Sequence, residues 1–360
     1  MQVRYVCTDT LFMGQSVRIT IKKTKSVFIL VGMLLAAVTI CGCEASKRVH
    51  DQPAHDTPAP GNPAHDTLAP GNPAPGSPAH GNPAHEKPIR IVATYSILGD
   101  WVRKIGGDQV ELATLVGPGG DAHTYEPTPR DSVALSKADI VFENGLGFET
   151  WLDRLFEASG SKARRIVVTA GIKPRELVQD GKRTEVDPHV WHLPSNAVRM
   201  VEAITDALVQ AQPAYANEFR QRQSEYVGQL HDLDEWISQE TSSIPEQRRK
   251  LVTTHDTFGY MADAYGYEVL SVLGSGSSEV SDPSAAQVAA IIDRIRKLKI
   301  PAIFSENILN PQLTRQIADQ AGIKIVPTLY TDALGPGEST GCDYLSMMRF
   351  NVRTIVEALR

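Results

Sequence analysis

A two-lobed α/β architecture, each lobe a mostly parallel sheet flanked by helices, is predicted by three features of this 360-residue chain. Short apolar strand-like runs alternate with amphipathic helical stretches. That alternation occurs twice, once between Ile89 and Thr169 and again after Lys250. A long stretch of helical periodicity separates the two series. Alternating strand and helix implies right-handed crossovers and parallel strands with helices on both faces.

In the first series, strands are expected at Ile89 to Thr94, Val110 to Val116, Ile140 to Glu143 and Ile166 to Thr169. Helices are expected around Ile97 to Ile105, Arg130 to Lys137 and Glu149 to Ala158. The second series predicts strands near Lys250 to Thr253, Glu268 to Leu273, Ala302 to Ser305 and Lys324 to Pro327, with helices at Gly259 to Tyr265, Ser284 to Leu298 and Gln312 to Ala321. Between them, Phe219, Tyr226, Leu230, Leu233 and Ile237 repeat at helical spacing after Pro213, which suits a first helical turn. One helix of about 40 Å joining both lobes would limit hinge opening; an ordinary amphipathic helix packed on one lobe is the alternative. The expected division is 1–43 leader, 44–88 tether, 89–211 first lobe, 212–244 linking helix and 245–360 second lobe.

The leader reads as a lipoprotein signal. Three lysines between Ile21 and Lys25 precede a nearly unbroken apolar run from Val27 to Ile40, then Cys41-Gly42-Cys43. A run of roughly 14 residues is short for a membrane span and suits a signal peptide. Small Gly42 before Cys43 makes Cys43 the expected lipidation site. Glu44 to Pro88 is rich in Pro, Ala, Gly, Asn and His, with an imperfect repeat around GNPAHDT, GNPAPGS and GNPAHEK. It has almost nothing to bury and reads as a flexible tether. His50, His55, His65, His80 and His85 lie in it; a solvated linker is favoured over a metal-collecting tail.

The whole chain carries a formal charge of −6, and the first 43 residues a balance of +4, which leaves −10 beyond the leader. An acidic chain without basic tracts is a poor nucleic-acid binder. If Cys43 is acylated, Cys342 remains alone, so no intramolecular disulfide is expected, and Cys342 is expected to be a small packing residue.

Chemistry-bearing residues gather in four short segments: HTYEP with His123, DPHVW with His189, TTHD with His255, and YTD ending at Asp332. Three imidazoles and a carboxylate make a complete shell for one transition-metal ion. They are spread over about 210 residues, so the whole fold must converge them. Each is expected at the carboxyl end of a strand or in a loop before a helix, where open α/β sheets bind ligands. His192 reads as an exposed residue, with a place behind the ligands or among them as the alternative. Glu306 could approach the cleft or cap a helix, Asp256 could orient its loop, and His231 should face solvent on the long helix.

These segments also carry a resemblance. GPGGDAHTYEPTPRD from Gly117, NGLGFETWLDRL from Asn144, DPHVW, TTHDTFGYMADAYG from Thr253, DPSAAQ from Asp282 and YTDALG from Tyr330, followed by DYLSMMRFNV, resemble the metal-binding solute receptors of zinc and manganese ABC importers. The likeness runs collinearly over residues 89 to 360. It implies two α/β lobes joined by a rigid helix, one metal ion in the cleft held by His123, His189, His255 and Asp332, and delivery to a membrane permease driven by a cytoplasmic ATPase. Such a receptor is expected to be a lipid-anchored monomer facing the periplasm or cell exterior.

Three nitrogens and one carboxylate favour Zn2+ over harder Mn2+ or Fe2+. Against zinc, residues 124 to 188 lack the long His-rich loop that many zinc receptors of this kind carry. A zinc hydrolase is disfavoured because no companion general base stands in a recognisable motif such as HExxH. A surface adhesin using metal only for shape is the remaining alternative.

Overall fold

The computed structural model describes residues 87–179, 182–272, 283–308 and 311–360, all within one compact unit. The leader, Cys43, the tether up to residue 86 with its histidines, and Asp282 lie outside the described residues.

In chain order the elements are β1 Ile89–Tyr95, α1 Ser96–Gly106, β2 Val110–Val116, α2 Pro129–Lys137, β3 Ile140–Glu143, α3 Leu152–Ser159, β4 Arg164–Val167, β5 Arg175–Gln179, β6 Lys182–Asp187, α4 Pro194–Ala211 and α5 Ala216–Ser242. There follow β7 Lys250–Thr253, α6 Gly259–Tyr265, β8 Glu268–Ser271, α7 Ala285–Lys297, β9 Ala302–Glu306, α8 Gln312–Ala321, β10 Lys324–Leu329 and α9 Tyr344–Leu359.

The N-terminal sheet has the order β2-β1-β3-β4 with every pair parallel. In the C-terminal half β7 pairs with β8 and β9 with β10, again parallel, and β7 lies against β9. Crossover helices between parallel strands leave all strand carboxyl ends at one edge, which is what brings distant loops together. β4 begins two residues earlier than its apolar run suggests, because pairing with β3 sets its register from Arg164. The antiparallel hairpin β5-β6 breaks the alternation and is absent from the expected elements.

α5 is the long helix, about 40 Å over its 27 residues. Pro213 opens a separate 3-10 turn, Pro213–Tyr215, before the α-helix starts at Ala216. Its early part meets the N-terminal half, where Arg222 Nη1 donates to the carbonyls of Ile105 at 3.3 Å and Gly106 at 3.2 Å. Its late part meets the C-terminal half: Tyr265 Oη donates to Asp234, and Thr241 Oγ1 sits 3.0 Å from Tyr267 Oη. The helix therefore touches both halves, not one. A single buried apolar cluster runs from Ile89 through Trp101, Phe219, Leu230 and Phe304 to Leu359, so the halves share a core. Among the described residues no helix is long and apolar enough to cross a membrane.

Candidate metal centre

Four loops at the sheet edges are each pinned by hydrogen bonds that leave one side chain pointing at a common centre. His123 follows β2; its backbone N–H donates to Asp121 Oδ1 at 2.8 Å, while Trp151 Nε1 donates to the carbonyl of Ala122 at 2.8 Å. The loop then closes on Asp131, which accepts from Tyr125 Oη at 2.8 Å and from Thr128 N–H at 2.6 Å. Phe148 stands edge-on to the His123 ring at 4.6 Å.

His189 lies two residues beyond β6. Asp187 Oδ1 accepts its backbone N–H at 3.0 Å and faces its Nδ1 at 2.8 Å. A proton held on Nδ1 by that carboxylate leaves Nε2 as the free lone pair. His255, after β7, is held by the same device: Glu306 Oε1 accepts the N–H groups of Thr254 at 2.6 Å and His255 at 3.0 Å, and Glu306 Oε2 pairs with His255 Nδ1. Asp332 lies past β10 in a loop tied to the N-terminal half, where Gly119 N–H donates to Leu334 O at 2.9 Å and Trp191 Nε1 to Thr331 O at 2.9 Å.

The four candidate donor atoms lie within 4.8 Å of one another and all four residues are buried. His123 Nε2 is 3.1 Å from His189 Nε2 and 3.4 Å from Asp332 Oδ2. His255 Nε2 is 3.2 Å from Asp332 Oδ2, and His189 Nε2 is 3.7 Å from Asp332 Oδ1. A tetrahedron of zinc bonds near 2.05 Å has edges of about 3.3 Å, and the three separations of 3.1, 3.2 and 3.4 Å among the ring Nε2 atoms and Asp332 Oδ2 match that edge, with the other pairs inside 4.8 Å. His255 Nε2 and Asp332 Oδ2 are buried with no hydrogen-bond partner. Buried polar atoms without a hydrogen-bond partner are costly, and a cation between these two satisfies both.

Charge balance points the same way. Burial works against a charged His255 ring, but the Glu306 and Asp332 carboxylates outweigh it and hold its pKa well above the ordinary histidine value. Burial also opposes ionisation of Asp332, and the His255 and His189 rings outweigh that, holding it well below the usual carboxylate range. The centre is thus built to hold positive charge.

The remaining expectations divide. Glu306 approaches the cleft as His255's partner and does not cap a helix. His192 is fully buried, contrary to its expected exposure, because it packs on Phe258 at 4.4 Å between ring centroids. Asp256 is not among the four converging groups; its Oδ1 is buried without a partner, and burial raises its pKa with Asp187 adding to the effect. His231 is exposed as expected. Cys342 is exposed, not packed, because it sits in the turn before α9.

Sequence reasoning missed six contributors. Asp187 stands in the same motif as His189 and was readable there. Asn144, Gly145 and Glu149 form a brace: Glu149 accepts from Thr94 Oγ1 at 2.6 Å, Asn144 N–H at 2.7 Å and Gly145 N–H at 3.0 Å, and burial still pushes it up to about 7. Arg175 is set opposite Asp187 by the β5-β6 hairpin, and Thr257, whose partners His192 and Asp332 are distant in sequence, carries no local signal.

A model of the zinc-uptake complex component A family, periplasmic, matches residues 91–358. The chain belongs to this family. Its relatives include the manganese-binding lipoprotein MntA of Halalkalibacterium halodurans, 34% identical over 272 residues covering 75% of this chain and 88% of that one. The iron-binding protein YfeA of Yersinia pestis is 32% identical over 75% of this chain and 86% of its own length. Among solved structures, the periplasmic zinc-binding protein TroA of Treponema pallidum superposes with a TM-score of 0.71 at 33% identity, over 76% of this chain and 99% of that one. The family is one of metal-binding solute receptors, not enzymes, and its α/β fold with a long helix is the fold found here.

Proposed function

We propose that this chain captures Zn2+ outside the cytoplasm through His123 Nε2, His189 Nε2, His255 Nε2 and Asp332 Oδ2 and hands it to an ABC permease. The observation that carries this reading is the convergence of these four buried donor atoms, with separations of 3.1, 3.2 and 3.4 Å among them, where His255 Nε2 and Asp332 Oδ2 have no hydrogen-bond partner. Nitrogen-rich donors at tetrahedral spacing suit zinc, which has no need of a large oxygen shell. In this reading residues 89–211 and 245–360 are the two lobes and 212–244 the link. Cys43 carries the lipid anchor, the tether holds a monomeric receptor off the membrane, and a permease with its cytoplasmic ATPase accepts the ion. Relatives named as lipoproteins support the anchor.

The test is metal content and stoichiometry of protein purified without added metal, beside a His255→Ala variant. One tightly held zinc per chain, lost on substitution, is the expected result. Binding indifferent to His255 would remove the four-residue site.

A manganese or iron cargo is favoured by one observation: both Asp332 oxygens lie within 3.7 Å of a ring nitrogen of the cluster. A two-oxygen Asp332 would make a five-coordinate shell better suited to Mn2+. Affinity alone does not separate the cases, since sites of this kind hold zinc more tightly whatever is imported. Uptake of labelled zinc and manganese in a strain lacking the receptor does separate them.

A further inference from the structure

Two buried side chains outside the four converging residues are joined to Asp332 in a line. His192 Nε2 lies 3.1 Å from Thr257 Oγ1, and Thr257 Oγ1 donates to Asp332 Oδ1 at 3.4 Å. Both residues are fully buried. They come from different halves: His192 from the turn before α4, Thr257 from the loop before α6. We infer that His192 and Thr257 form a positioning relay that engages one oxygen of Asp332, fixes it as a one-oxygen ligand and so tilts the centre toward four-coordinate zinc.

The direction of the line follows from proton counting. A neutral imidazole carries one ring proton. His192 Nδ1 is buried with no partner, so a proton there would be an orphaned donor, whereas a proton on Nε2 meets the threonine oxygen. A charged ring would carry a second proton on that partnerless Nδ1, so the buried pocket fits the neutral form. Thr257 then accepts from His192, and its own proton is left for Asp332 Oδ1. That oxygen is occupied, while Oδ2 has no hydrogen-bond partner and is the one nearer His123 and His255. Without the hydroxyl, both oxygens could turn to the ion, giving the larger oxygen-rich shell that manganese accepts more readily than zinc.

This inference rests on the four-ligand reading above, and Co2+ serves as its probe, since four-coordinate cobalt absorbs visible light more strongly than five-coordinate cobalt. The full chain in detergent is loaded with Co2+ as wild type, Thr257→Val, Thr257→Ser and His192→Leu. Zinc-over-manganese preference is measured for each by competition, and metal-free melting confirms folding. Expected are intense bands in wild type and Thr257→Ser, and weakened, shifted bands in Thr257→Val. The Val variant should also lose about tenfold in zinc preference, the worth of one hydrogen bond to a charged group. His192→Leu frees the hydroxyl to rotate and should fall between. Unchanged bands and preference in a folded Thr257→Val overturn the relay. Wild type that binds neither cobalt nor zinc overturns the four-ligand reading itself, a separate result.

Discussion

Glu306 does for His255 what Asp187 does for His189: a carboxylate behind the ring fixes the proton on Nδ1 and turns Nε2 toward the centre. Glu306→Gln is expected to lower zinc affinity 10- to 100-fold while the fold is kept. A chelator-competition titration reads this directly, and unchanged affinity would remove Glu306 from the site's support. The charge balance gives a second expectation. His255 has a raised pKa, so in the metal-free protein its protonated form adds stability that is complete below about pH 6.5 and fades as pH rises through its folded value. Asp332 has a depressed pKa, so its share is complete above about pH 4 and is lost as pH falls through its folded value. Zinc must displace the His255 proton. Binding near neutral pH should therefore release about one proton and weaken about tenfold per pH unit of acidification. Calorimetry in buffers of different ionisation enthalpy counts that proton; heats independent of buffer would show that none is released. The four converging residues were legible because each stands in a short motif of ligand-type side chains. His192 was misjudged because local spacing says nothing of the Phe258 ring that buries it, and Thr257 because a lone threonine has no signature.

At the scale of elements, the hairpin β5-β6 acts as a clasp between the two halves. Arg175 Nη1 pairs with Asp187 Oδ2 at 3.2 Å and Arg175 Nε with Asp263 Oδ2 of α6 at 3.0 Å. Tyr260 Oη donates to Asp187 O at 2.9 Å and accepts the N–H of Arg175 at 2.8 Å. Gly259 opens α6 where a Cβ would meet the Arg175 guanidinium and the Asp187 carboxylate, so a side chain there would have to push the ion pair aside. The clasp thus ties α6 to the carboxylate that orients His189. Arg175→Ala is expected to cost about 1–2 kcal/mol of stability and to weaken zinc binding, both measured on the same preparation. A variant as stable and as tight as wild type would show that Tyr260 alone holds the hairpin. The strands and helices of both sheets were legible from apolar runs and helical spacing, often to the residue, as at Val110–Val116 and Gln312–Ala321. The hairpin escaped because its strands are charged and polar, although Asp180-Gly181 between them is a two-residue turn signal that could have revealed it.

For the whole molecule, a core shared by both halves and a helix touching both predict one cooperative unit. Tryptophan fluorescence, dominated by Trp101, Trp151 and Trp191 in the N-terminal half, should report the same denaturation midpoint as far-ultraviolet circular dichroism, which averages the whole chain. Two separated midpoints would mean that the halves unfold independently. The loops that carry Asp332 are stitched across the cleft by Gly119, Trp191 and Ser96, the last accepting Leu334 N–H at 2.9 Å, so parting the halves means breaking several buried bonds together. Such stiffness has a traffic consequence. If a vacant carrier and a full one show the membrane machinery nearly the same outline, the vacant ones queue at the same doorway. Surplus carrier then becomes a brake when ions are scarce, and raising its abundance above that of the permease should slow, not speed, import from trace zinc while leaving import from abundant zinc untouched.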